Sequence, residues 1–364
     1  MGARIVFHID FDYFYAQCEE LRRPKLKTKP VSVCMFSDRG GDSGAIATAN
    51  YTAREFGVKS GIPISFARKM LKDRKDAIFL PADFDYYSDI SEKAMSIMEE
   101  FADIFEYVGR DEAYLDVTKR TDSDFGKAGY LAQQIKNAIK NKLKLGCSVG
   151  VSPNKLLSKI ASDHHKPDGL TIVPPEKIEA FLEPLKIRAI PGIGKKSEEY
   201  FSQMNIQTVG ELKKLDVFSL NREFGRKTAS YIFNAARGIS DEPVKEKKPS
   251  SQYSKIMTLK KDSKEYEFLL ENTISLCCEL HEVIKKNGRL FRSVGMQFVQ
   301  SDMSSKTKSR LLKNHTASLG ELQKTAQQLL REALEDQTKT VRRLGVKVSE
   351  LSEGKGQSDI TSYF

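Results

Sequence analysis

A chain of 364 residues with 40% hydrophobic and 30% charged side chains is expected to fold as about two to four compact units, too apolar for disorder and too long for one ordinary domain. No apolar run approaches the roughly 18 residues of a spanning helix, Asp10 interrupts the stretch where a secretory leader would continue, and five cysteines without a CxxC pair exclude a disulfide framework or a structural zinc and fit a reducing, cytoplasmic setting. The net charge of +10 is concentrated, with twenty-one basic and thirteen acidic residues between Lys245 and Glu350, the electrostatic footprint of a protein that neutralises phosphates.

In chain order, Ile5 to Ile9 reads as an apolar strand that meets an acid, Asp10, and passes into a helix with Phe14, Cys18 and Leu21 on one face. PVSVCMF from Pro30 and AIATANY are β-type runs on either side of the loop SDRGGDSG, and the second passes into TAREFGV. Ile90, Ala94, Ile97, Met98 and Phe101 recur at helical spacing between Asp83 and Phe105. Two acid-bearing strands around YVGRDEAYLDV follow, then a helix carrying Leu131, Ile135, Ile139 and Leu143. Next come the strand CSVGVS and the helix of NKLLSKIASD, with Asn154 or Ser152 as its N-cap. This order fits an antiparallel sheet backed by helices.

After KPDGLTIV, short segments joined by glycine turns, AIPGIGKKSEEYF and GRKTASYIFNAARG among them, predict a small helical domain. Ser240 to Gln252 is rich in proline, serine and charge and marks a linker. Beyond it, a basic β-like run (Ser254 to Lys260), a helix (Phe268 to Lys285), the strand RSVGMQFVQ, a helix (Leu319 to Leu334) and the strand VRRLGVKVSEL predict another α+β unit. The ending SEGKGQSDITSYF is a polar tail.

Asp10, Asp111 and Glu112 carry the first chemical signal. An acid at a buried strand end needs a partner, because an uncompensated carboxylate in low dielectric is costly. Three carboxylates with open coordination positions suit magnesium, and two such ions clamp the attacking and leaving oxygens of an in-line phosphoryl transfer. On these acids alone, salt bridging to Arg110 is an equal reading. Strict strand alternation sends adjacent Asp111 and Glu112 to opposite faces, so they share one site only where the backbone departs from regular pleating. Arg110 then turns away, toward an acid of a backing helix.

Taken in order, HIDFDYFYAQCEEL, AIATANYTAREFGVKSGIP, RDEAYLDV, VGVSPNKLLSKIASDHHKPDGL and IPGIG resemble the Y-family translesion DNA polymerases, of the archaeal DNA polymerase IV (DinB) type, from about Arg4 to Leu351. The resemblance implies a multidomain α+β fold shaped as a right-hand polymerase. Its α+β palm would take residues 1–11 and 80–170, small fingers 12–79, a helical helix-hairpin-helix thumb 171–238, a linker 239–252, an α+β little finger 253–350 and a flexible tail 351–364. It implies low-fidelity, template-directed DNA synthesis past lesions, with primer-template DNA and dNTPs as partners and two Mg²⁺ ions as cofactor. Carried over residue by residue, it makes Asp10, Asp111, Glu112 and the Phe11 backbone carbonyl the metal ligands, and leaves Asp12 and Asp116 structural. Tyr15, beside Phe14, becomes the steric gate whose ring collides with a ribose 2′-hydroxyl. Tyr51, Arg54 and Lys159 would reach the β- and γ-phosphates. Ala45 and Ala47, with Thr48, would cover the nascent base pair and leave room for a distorted template base. The family usually has a serine and an aliphatic residue where this chain has Gly109 and Arg110.

PGIG, from Pro191 to Gly194, lies between helical patterns, and a hairpin there presents backbone N–H groups of Gly192, Gly194 and Lys195 to duplex phosphate; a plain helical turn is the other reading. Lys255, Lys260, Lys261, Arg289, Arg292, Arg342 and Arg343 are further candidate phosphate contacts in the basic last domain. QSDITSYF matches the sliding-clamp binding box, with Gln357, Ile360, Tyr363 and Phe364 at its four positions, which implies a PCNA-type clamp as partner of a monomer. Two other classes stand beside the polymerase: a nucleotide cyclase with a palm-like metal site, which has no use for the PGIG turn or the box, and a catalytically impaired, clamp-tethered DNA-binding scaffold in which Arg110 has disabled the site.

Overall fold

The apolar run after Arg4 becomes β1 (Val6–Asp10), the middle strand of a five-stranded sheet, in the computed structural model, which describes residues 3–246, 249–335 and 339–353. The chain packs as two units, one of Met1–Cys34, Ile46–Ile62 and Phe66–Lys248, the other of Met35–Ala45, Pro63–Ser65 and Pro249–Phe364. No helix among the described residues is long and apolar enough to cross a membrane.

α1 (Phe14–Arg22) follows β1, and β2 (Val31–Phe36), β3 (Gly44–Ala49), α2 (Tyr51–Arg54), α3 (Ile64–Met70) and β4 (Ile78–Pro81) come next in the chain, the three strands forming a small sheet of order β3-β2-β4. The helical spacing from Asp83 predicts a helix continuing toward Phe105, but α4 (Phe84–Glu99) stops earlier and Ile104 opens β5 (Ile104–Tyr107). β6 (Glu112–Asp116), α5 (Phe125–Leu143), β7 (Ser148–Ser152), α6 (Lys155–His164) and β8 (Leu170–Ile172) complete the main sheet, whose order is β5-β6-β1-β7-β8. Asn154, not Ser152, caps α6, accepting from Leu157 N at 3.0 Å.

Alternation divides β1 between two layers. Phe7 and Ile9 enter a core with Tyr87, Ala94 and Met98 of α4 and Ala132, Ile135 and Ile139 of α5. His8 points the other way, to Ser162 of α6. The α6 backbone passes so close to β7 that a Cβ on Gly150 would lie 2.0 Å from Ser158 O; only glycine permits this approach, and it sets the height of Lys159 over the sheet.

The helical part, α7 (Ile178–Leu182), α8 (Lys195–Gln203), α9 (Val209–Lys213) and α10 (Val217–Ala235), closes over Leu182, Ile187, Phe201, Leu212 and Ile232. Thr208 and Glu211 form a capping box at α9. The proline-rich connection that follows is docked at its start: Val244 packs on Val6 and Tyr114, and Arg4 donates to Ser240 O. Lys155, almost buried, pairs with Glu106 and Glu242 at 2.8 Å each and lies over the Tyr114 ring. Lys155→Met leaves the Glu106 carboxylate with the Lys245 N–H, at 2.9 Å, in place of its ammonium partner, a loss expected to cost about 1–3 kcal/mol and to lower the thermal midpoint by several degrees; a double variant with Glu106→Gln should recover most of it, and an unchanged midpoint in the single variant would refute the pairing.

The second unit holds the four-stranded antiparallel sheet β11-β10-β12-β9, built from β9 (Gln252–Ser263), β10 (Arg289–Gln300), β11 (Ser305–Thr316) and β12 (Val341–Ser349), with β13 (Ser352–Glu353) beside β10. α11 (Tyr266–Lys286) and α12 (Leu319–Glu335) cover one face, burying Leu276, Leu280, Phe298, Leu330 and Val346. β11 escapes the sequence reading. It is an edge strand whose residues are all at least partly exposed, so it lacks apolar alternation, and its lysines discourage further pairing.

Candidate active site

The three acids of interest lie at one end of the main sheet. Asp10 ends β1 directly opposite Glu112, the first residue of β6, and Phe11 N donates to Asp111 O at 2.9 Å. Asp111 itself precedes the strand, in a connection where Val108 N and Gly109 N both donate to Glu112 O, at 3.3 and 3.2 Å. This departure from pleating releases Asp111 and Glu112 from strand alternation. Gly109 matters here: a Cβ would sit 3.3 Å from Asp111 Oδ1.

Burial raises the Asp111 carboxyl above its ordinary range, with the charges of Asp10 and Glu112 adding to the effect. Two lysines offset the cluster. Lys166 Nζ lies 2.7 Å from Asp10 Oδ1 and 2.8 Å from Asp163. Lys159 Nζ lies 2.5 Å from Glu112 Oε2, the oxygen that His8 Nε2 also approaches at 3.1 Å. The His8 hydrogen bond first, and Lys159 with it, hold the Glu112 carboxyl down at about 2 against the opposing effect of burial.

With lysines seated on Asp10 and Glu112, no group of three His, Cys, Asp or Glu among the described residues is arranged to grip an ion. The donor set nevertheless suits a hard divalent cation, because every donor is oxygen and the ammonium groups stand where positive charge is required. The Phe11 carbonyl accepts from Gln17 Nε2 at 3.3 Å, which leaves its second lone pair.

Tyr15 is half buried and held by rings on two sides, stacked on Tyr87 at 4.8 Å and edge-on to Phe84 at 5.7 Å. Phe14 is buried against Phe11, and Ala47 packs on the same core. Thr48 is buried on β3, while Ala45 bridges Pro63 within the second unit. Arg54 donates to Ala49 O at 2.9 Å and Asp12 O at 3.3 Å and lies over the Tyr51 ring, and Tyr51 meets Tyr13 edge-on. The chain therefore brings Arg54 and Tyr51 to the turn after Asp10, and Lys159 to Glu112.

Arg110 lies in this irregular connection, outside strand alternation; it reaches a helix, but its partner is not an acid. Its Nε donates to Ser88 Oγ at 2.9 Å and its guanidinium lies over Phe84, because α4 presents a hydroxyl and a ring there. Asp12 is fully engaged, accepting from Ser148 Oγ at 2.6 Å and Asp168 N at 2.9 Å. Asp116 accepts from Thr118 N and Oγ1. His8 and Lys166 are the residues that sequence reasoning missed. The signal for His8 was its position two before Asp10, on the same strand face; Lys166 had none beyond its place in KPDGL.

Gly192 adopts φ 86° in the PGIG turn, which Tyr231 braces by donating to Pro191 O at 2.5 Å, and Gly194 is the N-cap of α8 with Lys195 strongly exposed. In the second unit the uncovered sheet face holds a hollow of about 300 Å³ lined by Ile256, Gly295, Gln297, Thr307, Gly345 and Lys347. Arg343 lies on that face by register with Thr258 and Val299. Lys255 instead reaches Glu279 of α11 at 3.9 Å, Arg292 donates to Leu312 O, Arg289 pairs with Glu353 and Arg342 with Asp262, and Lys260 and Lys261 are exposed at the end of β9. Gln357, Ile360, Tyr363 and Phe364 lie outside the described residues.

Comparison with known proteins gives a consistent set of matches. Residues 9–163 match the model of the impB/mucB/samB family, 250–360 that family's C-terminal domain, and 188–240 the thumb domain of DNA polymerase-iota. The chain is 72% identical to a DNA polymerase IV of Nitrosopumilus maritimus and 40% identical to one of Methanosarcina acetivorans, with all of both chains covered in each case. Among solved structures it is similar to a Y-family DNA polymerase chimera (34% identity, TM-score 0.88, 96% of this chain and 99% of that one). It is also similar to an insertion ternary complex of Dbh DNA polymerase (34% identity, TM-score 0.69, 95% and 98%).

Proposed function

The chain belongs to the impB/mucB/samB family and is a DNA-directed DNA polymerase of the archaeal DinB type within the Y family, and from that premise we propose that it copies damaged templates at low fidelity by two-metal nucleotidyl transfer, tethered to a PCNA-type sliding clamp. The observation that carries the proposal is the meeting of Asp10, Asp111 and Glu112 at one sheet end with ammonium groups already on two of them. Residues 1–11 and 80–170 would act as palm, 12–79 as fingers, 171–238 as thumb and 253–350 as little finger, in a monomer working on primer-template DNA and dNTPs in the cytoplasm.

Two Mg²⁺ ions held by Asp10, Asp111, Glu112 and the Phe11 carbonyl would supply charge neutralisation on the attacking and leaving oxygens. Lys159, Arg54 and Tyr51 bind the β- and γ-phosphates, and the two cationic side chains disperse the charge that collects on pyrophosphate as the primer 3′-hydroxyl attacks the α-phosphate. Tyr15 closes the space beside the sugar. Ala45, Ala47 and Thr48 leave the templating base loosely covered, which accounts for lesion tolerance. The Gly192–Gly194 turn and Lys195 hold duplex phosphate without reading sequence, as do Arg343, Lys260 and Lys261. Arg110, occupied by Ser88 and Phe84, does not neutralise the acids, which disfavours the impaired scaffold.

Primer extension on undamaged and abasic templates tests the proposal: extension on both, abolished by chelating the divalent cation, is expected, and no metal-dependent extension overturns it. A chain lacking Gln357 to Phe364 is expected to extend primers at the basal rate but gain nothing from an added PCNA-type clamp. Undiminished stimulation of that truncated chain rejects the tail as the tether.

A further inference from the structure

Most of the titratable groups around the catalytic acids have a task in the reaction outlined above; His8 has none. Its ring is fully buried, sits tilted against Tyr114 with ring centroids 4.7 Å apart, and uses both nitrogens. Nε2 lies 3.1 Å from Glu112 Oε2 and Nδ1 lies 2.7 Å from Ser162 Oγ. A carboxylate only accepts, so the Nε2 hydrogen is the one shared with Glu112. Nδ1 and the Ser162 hydroxyl share the second hydrogen bond of the ring. Ser162 Oγ also lies 2.8 Å from Lys159 O, so the hydroxyl is held between the ring and the helix backbone, and Ser162 is itself buried on α6. The result is a chain from the helix backbone to the carboxylate: Ser162, His8, Glu112.

Lys159 approaches the same oxygen, Oε2, but differs from His8 in kind. It is a flexible ammonium on a partly exposed side chain, and the proposed function gives it a second task on the triphosphate. When Lys159 is drawn to phosphate, only His8 keeps hold of Oε2, and Oε1, which takes no hydrogen bond among the described residues, remains open to a cation. We propose that His8, braced by Ser162, is a positioning residue that fixes the Glu112 carboxylate for metal binding while Lys159 exchanges between Glu112 and the nucleotide. The proposal rests on the reading of Glu112 as a metal ligand. It corresponds physically to the outer-shell partners that orient ligating groups, whose removal costs metal affinity rather than fold.

The test is Mn²⁺ binding, read from the electron paramagnetic resonance of free Mn²⁺, to the full chain with primer-template DNA and a non-hydrolysable dNTP, so that no turnover contributes. His8→Phe, which keeps the ring packing and loses both hydrogen bonds, is expected to bind Mn²⁺ about tenfold more weakly. His8→Gln retains a donor toward Glu112 and is expected to recover most of that affinity, whereas Ser162→Ala loosens the brace and costs roughly threefold. A merely structural His8 would shift the thermal midpoint of His8→Phe and leave Mn²⁺ affinity alone. Wild-type affinity in folded His8→Phe overturns the proposal; should that variant not fold, wild-type affinity in Ser162→Ala overturns it instead. Glu112→Gln separates the two levels. Weakened Mn²⁺ binding there beside unchanged binding in His8→Phe rejects only the role of His8, and unchanged binding in Glu112→Gln rejects the metal-site reading together with the proposal.

Discussion

Asp111→Asn is expected to lower the rate of nucleotide incorporation by roughly 10³-fold or more while making the metal-free protein more stable at neutral pH. The kinetic part follows from losing one anionic ligand of a centre that contributes several kcal/mol, at about 1.4 kcal/mol per tenfold in rate. The stability part follows from the sign of the carboxyl shift. Burial, with the charges of Asp10 and Glu112, raises the folded-state pKa of Asp111, so the folded protein binds that proton more tightly than the unfolded chain does. The stabilisation is fully present below the unfolded value and is lost as pH rises through the raised one. At neutral pH the ionised carboxylate is thus a cost that asparagine removes. Thermal midpoints of wild type and variant should differ most at pH 7 and converge near pH 3, and single-turnover extension should give the rate loss. A variant that is less stable at pH 7, or that retains wild-type incorporation, contradicts the clustering of charge at this sheet end. Glu112 carries the opposite sign: its carboxyl is held at about 2, so its contribution is present at neutral pH and disappears on acidification below the ordinary carboxylate range.

Tyr15→Ala is expected to raise ribonucleotide incorporation relative to deoxyribonucleotide by roughly 10- to 100-fold. A gate excludes by overlap only if its ring cannot step aside, and Tyr15 cannot do so cheaply: Tyr87 stacks on one side and Phe84 stands edge-on to it. Tyr87 is fully buried and donates its hydroxyl to Glu19 at 2.9 Å, so the wall behind the gate is itself fixed. Forcing extra atoms into a packed site costs about 1–3 kcal/mol, which sets the size of the expected change. Competition between rNTP and dNTP on one primer-template measures it, and an unchanged ratio rejects Tyr15 as the gate. Phe84 also carries the Arg110 guanidinium on its ring, so Arg110→Ile should act, if at all, on sugar selection; a severe loss of incorporation with stability unchanged would give it a direct part in the chemistry.

The architecture is largely legible in the sequence. Hydrophobic periodicity marks the strands and helices from Ile5 to Ile139 because their apolar faces meet one core, in which Phe7, Ile9, Met98, Ile135 and Ile139 are all buried. β11 was illegible for the converse reason, since an exposed edge strand buries too little to leave a pattern. The end of the helix beginning at Phe84 is not legible in the sequence because apolar residues continue past Glu99 into β5, and a short apolar run does not distinguish helix from strand.

The amino-acid sequence by itself determined the α+β class, the basic last unit, the acids Asp10, Asp111 and Glu112, and, through several ordered motifs, the polymerase family. Those are properties of residue type and spacing, and spacing survives without coordinates. Only the tertiary structure decided which groups share the acids' charge: Lys166 on Asp10, Lys159 and His8 on Glu112, and Arg110 on Ser88 and Phe84. His8 and Ser162 are 154 residues apart and meet at 2.7 Å only because α6 lies across the face of β1 that His8 shares with Asp10. Electrostatic energy depends on distance through space and on burial, and neither can be read from the order of residues along the chain.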